Sequence, residues 1–395
     1  MSHAPMTERL IALLDQDPAL RAMLEHSIAL AAEANPDPVT NPSQTLESYL
    51  AYLDHAATAL PWSISPWVEG HYSMLYDQID QSLGYFYFIL DQPLPELEGT
   101  HPYNNTLQYT EPIRSWLIDF TREYGLFLDT PESWCDEYLA RAQADPGYHL
   151  LDGTYEDASR WHTFNEFFSR HLAHPGIRPI ARPDDDRVVV CPADSLPQGV
   201  WDIDLDSMVV SDDPIVIKSG ALRNVDTLLG PSRFRGLFDG GKMTHTFLDV
   251  HDYHRFHFPV GGVIREVAHI PGDVAAGGIT IWDEKAHRYR LIQRDTSWQA
   301  LEVRALVVVE TERHGLVALL PIGMSQVSSV MLEPEVMEGR RVRKGDPLGW
   351  FLFGGSDYVM LFQRQAGFRL TTPLSVDEDT YEHRFFGQEY GRLAG

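Results

Sequence analysis

Cysteine is scarce in this sequence, because Cys135 and Cys191 are the only two among 395 residues. Two cysteines cannot build the disulfide framework of a small secreted protein, and they cannot form a cysteine-rich metal site. We therefore expect the chain to fold in a reducing compartment, and we predict no bound metal.

Long apolar runs and an excess of positive charge are also missing. No run approaches the roughly 20 apolar residues that span a bilayer, and residues 1–14 carry Glu8 and Arg9 where a signal peptide would be apolar. The net charge of −26 opposes binding to nucleic acid and to anionic lipid, since both are polyanions. These absences predict a soluble cytoplasmic protein without a nucleic-acid partner and without stable membrane association.

What the sequence does contain is an ordinary globular composition, with 44% hydrophobic residues, in a chain long enough for two domains. Apolar residues recur at helical spacing in residues 9–14, 19–25 and 114–120. Aromatic residues crowd the stretch between Tyr72 and Leu90, and at helical spacing such residues are mostly core. Residues 1–155 are therefore predicted to form a helical N-terminal domain.

The pattern changes after about residue 180. Short β-branched runs predict strands over residues 187–190, 214–218, 303–310 and 315–320, and residues 342–349 are typical of a hairpin turn. The polar residues 371–395 are expected to wrap the surface. The predicted fold class is α+β, with the helical domain followed by a β-rich domain over residues 156–395.

A break in an apolar stretch stands out near the C-terminus. Residues 349–362 form two apolar runs separated by Gly354, Gly355, Ser356 and Asp357. Two glycines allow unusual backbone conformations, and they leave the Gly355 carbonyl open to the Ser356 hydroxyl. A tight turn between two strands is the plainer interpretation of this break.

Reactive side chains are densest in residues 251–259, which include His251, His254 and His257. On a strand His254 would face away from the other two histidines, which argues against a shared zinc ion. The histidines are then either general acids or bases, or hydrogen-bonded structural residues. Asp194 could orient a histidine or cap a turn, and with Ser356 it would complete an activated hydroxyl. Sequence spacing leaves open whether these residues meet.

Four elements together resemble the phosphatidylserine decarboxylase family. They are residues 163–170 with 176–180, the Cys-Pro-Ala-Asp of residues 191–194, the Tyr-His-Arg-Phe-His-Phe-Pro of residues 253–259, and the Gly-Gly-Ser-Asp of residues 354–357. The chain departs from the family pattern at Cys191, where serine is usual, and at Gly354 and Asp357, since the family usually has Leu-Gly-Ser-Thr. Residues 84–94, 125–131 and 320–330 resemble a narrower, soluble branch that includes fungal L-tryptophan decarboxylase.

The resemblance implies an enzyme with a self-generated pyruvoyl cofactor. His257, held by Asp194, would take the proton of Ser356, whose oxygen would attack the Gly355 carbonyl and cut the chain between residues 355 and 356. Ser356 would become the pyruvoyl group, and His254 would return a proton to the product. The expected substrate is a small L-amino acid, most plausibly aromatic, with tryptophan as the leading candidate. Phosphatidylserine decarboxylation and a non-enzymatic binding role remain the alternatives.

Overall fold

The computed structural model describes residues 3–65, 67–101, 104–210, 223–292, 298–326, 329–376 and 380–395, so the strand predicted over residues 214–218 lies outside the described residues. Within those ranges, eight of nine α-helices precede residue 170 and every β-strand follows residue 187, which confirms the α+β class. The helices are α1 (Pro5–Gln16), α2 (Pro18–Ala34), α3 (Leu46–Ala56), α4 (Val68–His71), α5 (Leu75–Phe88), α6 (Ile113–Leu128), α7 (Asp136–Ala144), α8 (Phe164–Phe168) and α9 (Val225–Leu229).

Local sequence signals account for the helix boundaries. Asp17 ends α1 and caps α2, because its carboxylate accepts hydrogen bonds from the N–H groups of Ala19 and Leu20. Pro18 suits the first position of α2, since it lacks the N–H that would otherwise need a partner. Thr45 and Ser48 form a reciprocal capping box at the start of α3, and Thr163 and Glu166 form another at α8. The predicted helical patterns therefore fold as helices.

The described strands are β1 (Val188–Val190), β2 (Leu196–Ile203), β3 (Val209–Val210), β4 (Lys242–Leu248), β5 (Arg255–His257), β6 (Gly262–Ile270), β7 (Ile279–Asp283), β8 (Arg288–Ile292), β9 (Arg304–Glu310), β10 (Leu316–Met324), β11 (Val330–Leu332), β12 (Arg341–Val342), β13 (Pro347–Phe351), β14 (Gly355–Phe362), β15 (Arg369–Leu370) and β16 (Glu389–Arg392). Among the described residues they form one antiparallel eight-stranded sheet with the order β12-β6-β9-β10-β14-β4-β2-β3, and three smaller sheets. The predicted strands at residues 303–310 and 315–320 are confirmed as a paired β9 and β10.

The hairpin predicted over residues 342–349 is wrong. A turn is present, because Asp346 N donates to Arg343 O and Gly345 has a φ of +88°. The strands on either side of this turn do not pair with each other, since β12 pairs with β6 whereas β13 lies between β11 and β5. Turn residues indicate where the chain reverses, but the partner of each strand depends on residues far away in sequence.

The N-terminal helices share one hydrophobic core with part of the strand region, and a second hydrophobic cluster lies among residues 203–361. Tyr289 of β8 packs against Tyr85 and Phe88 of α5, and its hydroxyl contacts Asn35 and Thr40. Four of the five aromatic residues of α5, from Tyr85 to Phe88, are buried, as predicted for a core helix, whereas Tyr76 is half-buried. The tail adds two short strands, β15 and β16, and β16 also pairs with β1.

The domain boundary at residue 155 stays a prediction. None of the described helices combines the length and apolarity needed to cross a membrane.

The position of β14 leads to a prediction about the fragments of a chain cut before Ser356. Seven residues of β14, from Ser356 to Phe362, pair with β4 on one side and with β10 on the other, and the side chains from Tyr358 to Phe362 are fully buried. Burial of five such side chains contributes roughly 10 kcal/mol. We expect the two fragments to co-elute in native size-exclusion chromatography and to separate only in denaturant. Separation under native conditions would contradict this prediction.

Candidate active site

Ser356 lies at the start of the central strand β14 and is fully buried. Its side chain faces the same side of the sheet as Tyr358, because residues two apart on a strand share a face, and Gly323 and Leu248 lie opposite it on the neighbouring strands. The Ser356 hydroxyl has no hydrogen-bond partner among the described residues. Burying such a group costs about 1–3 kcal/mol, and unsatisfied buried groups of this kind are typical of functional sites.

Both glycines before Ser356 are required, Gly354 by its backbone conformation and Gly355 by a neighbouring side chain. Gly354 has a φ of +140°, a conformation that side chains disfavour. A Cβ on Gly355 would lie 2.7 Å from the Met324 side chain, so only glycine fits without displacing its neighbour. The break is therefore not a turn between paired strands, because it carries the chain from β13 in a three-stranded sheet to β14 in the eight-stranded sheet.

An aromatic shell surrounds the residue that precedes the two glycines. The Phe353 ring packs against Tyr124 of α6 and against Phe164 and Phe168 of α8, with centroids 5.1–6.3 Å apart. Phe353 N donates to Asn165 Oδ1 at 3.2 Å. The helical part of the chain thus holds the residues on the N-terminal side of the predicted cleavage bond.

His254 is packed into this same shell. Its ring stacks on Phe168 with a centroid distance of 3.8 Å, and Nδ1 lies 3.0 Å from the Asp252 carbonyl oxygen. Burial, together with the nearby Arg170 charge, lowers the pKa of His254 well below its ordinary value, so the ring is neutral. Nε2 is buried and has no hydrogen-bond partner within the described ranges, so it is available to take up a proton and to pass it on.

His257 lies in a different environment, three residues further along the chain. Its ring stacks on Phe386 of the tail at 3.6 Å, Nδ1 lies 3.2 Å from Gly345 O, and Nε2 lies 3.3 Å from the Tyr253 hydroxyl. Burial lowers the pKa of His257 to about 3. The ring borders a cavity of about 290 Å³, to which Arg178 and Arg255 also contribute.

Asp194 does not contact His257 directly. Its carboxylate accepts two hydrogen bonds from the Arg178 guanidinium, at 2.7 and 3.3 Å, and one from Phe386 N at 2.7 Å. No hydrogen bond or ion pair joins Asp194 to His257 in the part of the chain that the structure describes. Phe386 connects them instead, because its backbone binds Asp194 and its ring covers His257. The direct Asp194–His257 contact expected from the sequence is therefore absent here.

The three histidines of residues 251–257 do not converge. His251 packs against Tyr76, His254 against Phe168 and His257 against Phe386, so each ring has its own aromatic neighbour. A shared metal ion would need the three rings to face one point. Only His257 lies on a strand, β5, so the argument from strand geometry does not apply to His251 and His254, although the three rings do lie in different settings.

Two of the three positions that depart from the family pattern, Cys191 and Asp357, have clear surroundings. Cys191 is fully buried, its thiol lies 3.1 Å from Ala193 O, and burial raises its pKa to about 12, so it is an unreactive packing residue. Asp357 points to the opposite face of β14 from Ser356, where its carboxylate lies 2.8 Å from His245 Nε2. The predicted effect of Asp357 on the rate of cleavage stays a prediction.

Several residues that contact the predicted site were missed by sequence reasoning. Arg178 and Asn165 lie within stretches that carry the family resemblance, so their polar side chains offered a signal. Phe386 and His245 belong to no motif, and nothing in the local sequence shows that the tail reaches Asp194 and His257 or that β4 faces Asp357. Contacts of this kind come from sheet order and chain path.

Comparisons with known proteins found relatives of this chain. The chain is 31% identical over 257 residues to phosphatidylserine decarboxylase proenzyme 2 of Oryza sativa subsp. japonica, an alignment that covers 64% of this chain and 38% of the relative. A decarboxylase of Amanita muscaria is 31% identical over 52% of this chain and 59% of its own length. The L-tryptophan decarboxylase of Psilocybe cubensis is 29% identical over 51% of this chain and 46% of its own.

These alignments leave a large part of each relative unmatched, since the matched region spans from about two fifths to three fifths of their lengths. The family model for phosphatidylserine decarboxylase matches residues 164–384, which is more than half of this chain. That range contains Asp194, His254, His257 and Ser356. The chain therefore belongs to the phosphatidylserine decarboxylase family.

Proposed function

We propose that this protein is a decarboxylase that matures by cutting its own chain between Gly355 and Ser356. The observation that carries the proposal is the buried, unsatisfied Ser356 hydroxyl, among the described residues, directly after two structurally required glycines. Matched relatives named as proenzymes support a maturation step. The test is the mass of the purified protein, because a cut chain gives a fragment of residues 356–395, roughly a tenth of the 44.8 kDa total.

The residues around Ser356 fit a pyruvoyl group made from it. Gly323 opposite Ser356 presents no side chain, and Ser356 itself is fully buried. A pyruvoyl group supplies an electron sink for the loss of carbon dioxide from an amine-bearing substrate. The chain must supply the rest, which is a base for cleavage and a group that returns a proton to the product. We assign these roles to His257, with Asp194, and to His254.

We propose that the substrate is a small free L-amino acid with an aromatic side chain, with tryptophan as the first candidate. The name of the Psilocybe cubensis relative supports this choice. The rings of Phe164 and Phe168, which pack on Phe353 three residues before Ser356, support it as well, because burial of an indole or phenyl ring in such a setting gains a few kcal/mol. We further propose that the protein works in the cytoplasm and does not bind membranes stably.

Phosphatidylserine decarboxylation is the second candidate, and the name of the rice relative favours it. The net charge of −26 opposes it, because an acidic protein is repelled by an anionic lipid surface. A non-enzymatic binding protein is the third candidate. A binding protein would not need the Ser356 hydroxyl or the His254 Nε2 atom to be buried without a hydrogen-bond partner among the described residues.

The substrate prediction is tested by carbon dioxide release from each of the twenty amino acids and from phosphatidylserine in liposomes. We expect aromatic amino acids to be turned over at least tenfold faster than acidic or basic ones, because one pocket contact changes discrimination by roughly 1–3 kcal/mol. We also expect the protein not to sediment with the liposomes. Cleaved enzyme that has been reduced with borohydride provides the blank, because it keeps the cut but no longer has the pyruvoyl ketone.

Two results would change the proposal. Turnover of phosphatidylserine alone, with sedimentation that salt does not reverse, would favour the lipid substrate. An uncut chain without turnover of any compound would favour the binding protein. A cut chain that prefers acidic or basic amino acids would refute the aromatic substrate and leave the cleavage proposal intact.

A further inference from the structure

Tyr87 of helix α5 reaches out of the helical part of the chain into the strand region. Its hydroxyl donates a hydrogen bond to Val274 O at 2.5 Å and accepts one from Gln326 N at 2.8 Å. The side chain is buried, with 1% of its surface exposed. Burial raises the pKa of Tyr87 well above its ordinary value, so the hydroxyl keeps its proton and makes both contacts.

The residue that Tyr87 binds belongs to a strained turn. Ser325 and Gln326 follow the end of β10 and have φ angles of +44° and +64°, a left-handed conformation that residues other than glycine adopt rarely. Ser325 N donates to Ala275 O at 2.7 Å, which tethers the turn from a second side. Such a conformation persists only where the surrounding contacts enforce it, and it is concentrated at functional sites.

The same turn holds the glycine at the predicted cleavage bond. Gly355 N donates to Ser325 O at 3.2 Å. Ser325 O and Gln326 N are the two ends of one planar peptide group. Tyr87 therefore binds one end of this peptide, and Gly355 binds the other end. A rigid unit thus connects a helix of the N-terminal part directly to Gly355.

We propose that Tyr87 is a positioning residue for self-cleavage, which it promotes by holding the Ser325–Gln326 peptide and through it Gly355. This inference rests on the proposed function. In the first step of cleavage, Ser356 Oγ bonds to the Gly355 carbonyl carbon, the bond from that carbon to Ser356 N breaks, and the hydroxyl proton is transferred to the freed amine. The attacking and attacked atoms must be aligned at about 3–3.5 Å, and a misplacement of about 1 Å costs roughly 100-fold in rate.

The inference gives the helical part of the chain a role in maturation. Phe353 is held by α6 and α8, and Gly355 is held through Tyr87 of α5, so helices fix the backbone on the N-terminal side of Ser356 at two points. Helix α5 itself is fixed in the shared core. The region would thus act as a scaffold for the cleavage bond.

The chain offers a matched control in Tyr85 of the same helix. Tyr85 is equally buried, and its hydroxyl also makes two hydrogen bonds, accepting from Ser43 N at 2.9 Å and donating to Asn41 at 3.2 Å. Both partners lie within the helical part. Tyr85→Phe and Tyr87→Phe therefore remove the same chemical group with the same number of contacts, and only Tyr87→Phe affects the turn.

The experiment follows cleavage of each full-length variant after a pulse of cell-free synthesis. We expect Tyr87→Phe to slow the first-order cleavage by about tenfold or more, while Tyr85→Phe stays within about twofold of the unaltered chain. Hydroxylamine should not restore the rate, since it acts on the ester that forms only after Ser356 has attacked. Equal rates in the two variants, or restoration by hydroxylamine, would overturn the inference.

A second measurement does not depend on cleavage. In a Ser356→Ala background, we expect Tyr87→Phe to accelerate hydrogen exchange in the peptide that contains Gly355, with melting temperatures lowered alike in the Tyr87 and Tyr85 variants. Unchanged exchange near Gly355 would refute the bracing role. If the unaltered chain is never cut, the proposed function fails, and the exchange result still decides whether Tyr87 holds Gly355.

Discussion

Replacing Ser356 with alanine is expected to leave the protein as one chain without a pyruvoyl group. Cleavage requires the hydroxyl oxygen, and Ser356 is the residue that directly follows the two required glycines. The unaltered protein should show two fragments on a denaturing gel, and borohydride should reduce the ketone on the smaller one. The variant should show a single band, no reducible group and no decarboxylation, which is a complete loss of activity.

The stability of this variant separates lost chemistry from misfolding. Because the Ser356 hydroxyl makes no hydrogen bond to any described residue, its removal costs no contact and should leave the melting temperature unchanged or raised. Ser27→Ala is the contrasting control, since the buried Ser27 hydroxyl donates to Ile89 O at 2.5 Å. We expect Ser27→Ala to melt earlier and still be cut. A Ser356→Ala protein that is cut between residues 355 and 356 would refute serine as the nucleophile.

The sequence predicted secondary structure where the signal was local. The apolar periodicity before residue 145 and the β-branched runs of β9 and β10 correspond to helices and strands in the structure. The hairpin at residues 342–349 failed because periodicity does not encode strand partners, and β13 pairs with β5 and β11 instead of β12. The polar tail was expected on the surface, but it also carries Phe386 onto the buried His257 ring.

The candidate site shows the same division between local and long-range information. The requirement for Gly354 was foreseeable, because backbone freedom is a local property, whereas the requirement for Gly355 comes from Met324 at the end of β10. The partner of Asp194 was not, since Arg178 and Phe386 N reach it from opposite directions along the chain. The link between Tyr87 and Gly355 runs through a peptide group at the end of β10. No pattern of residue types encodes such a backbone contact.

The two histidines give the other prediction with a large effect. We expect His257→Ala to remain uncut, and His254→Ala to be cut but to lose decarboxylation, because the first lacks the base and the second lacks the group that returns a proton. His251→Ala is the control from the same segment and should be cut and active. Asp194→Ala should slow cleavage less than His257→Ala, since Asp194 contacts His257 only through Phe386. Pulse-synthesised protein on denaturing gels measures cleavage, and carbon dioxide release measures decarboxylation.

The pH dependence of cleavage and the variants together identify the base. A base acts in its deprotonated form, and burial holds the pKa of His257 at about 3, so the cleavage rate should stay level from pH 6 to pH 8. An exposed histidine with a pKa of about 6.5 would instead lose about fourfold between pH 8 and pH 6. A fourfold loss would show that the base is not the buried His257 seen here. If His254→Ala blocks cleavage while His257→Ala is cut normally, the roles are exchanged, and His254 Nε2, which no described residue binds, takes the Ser356 proton.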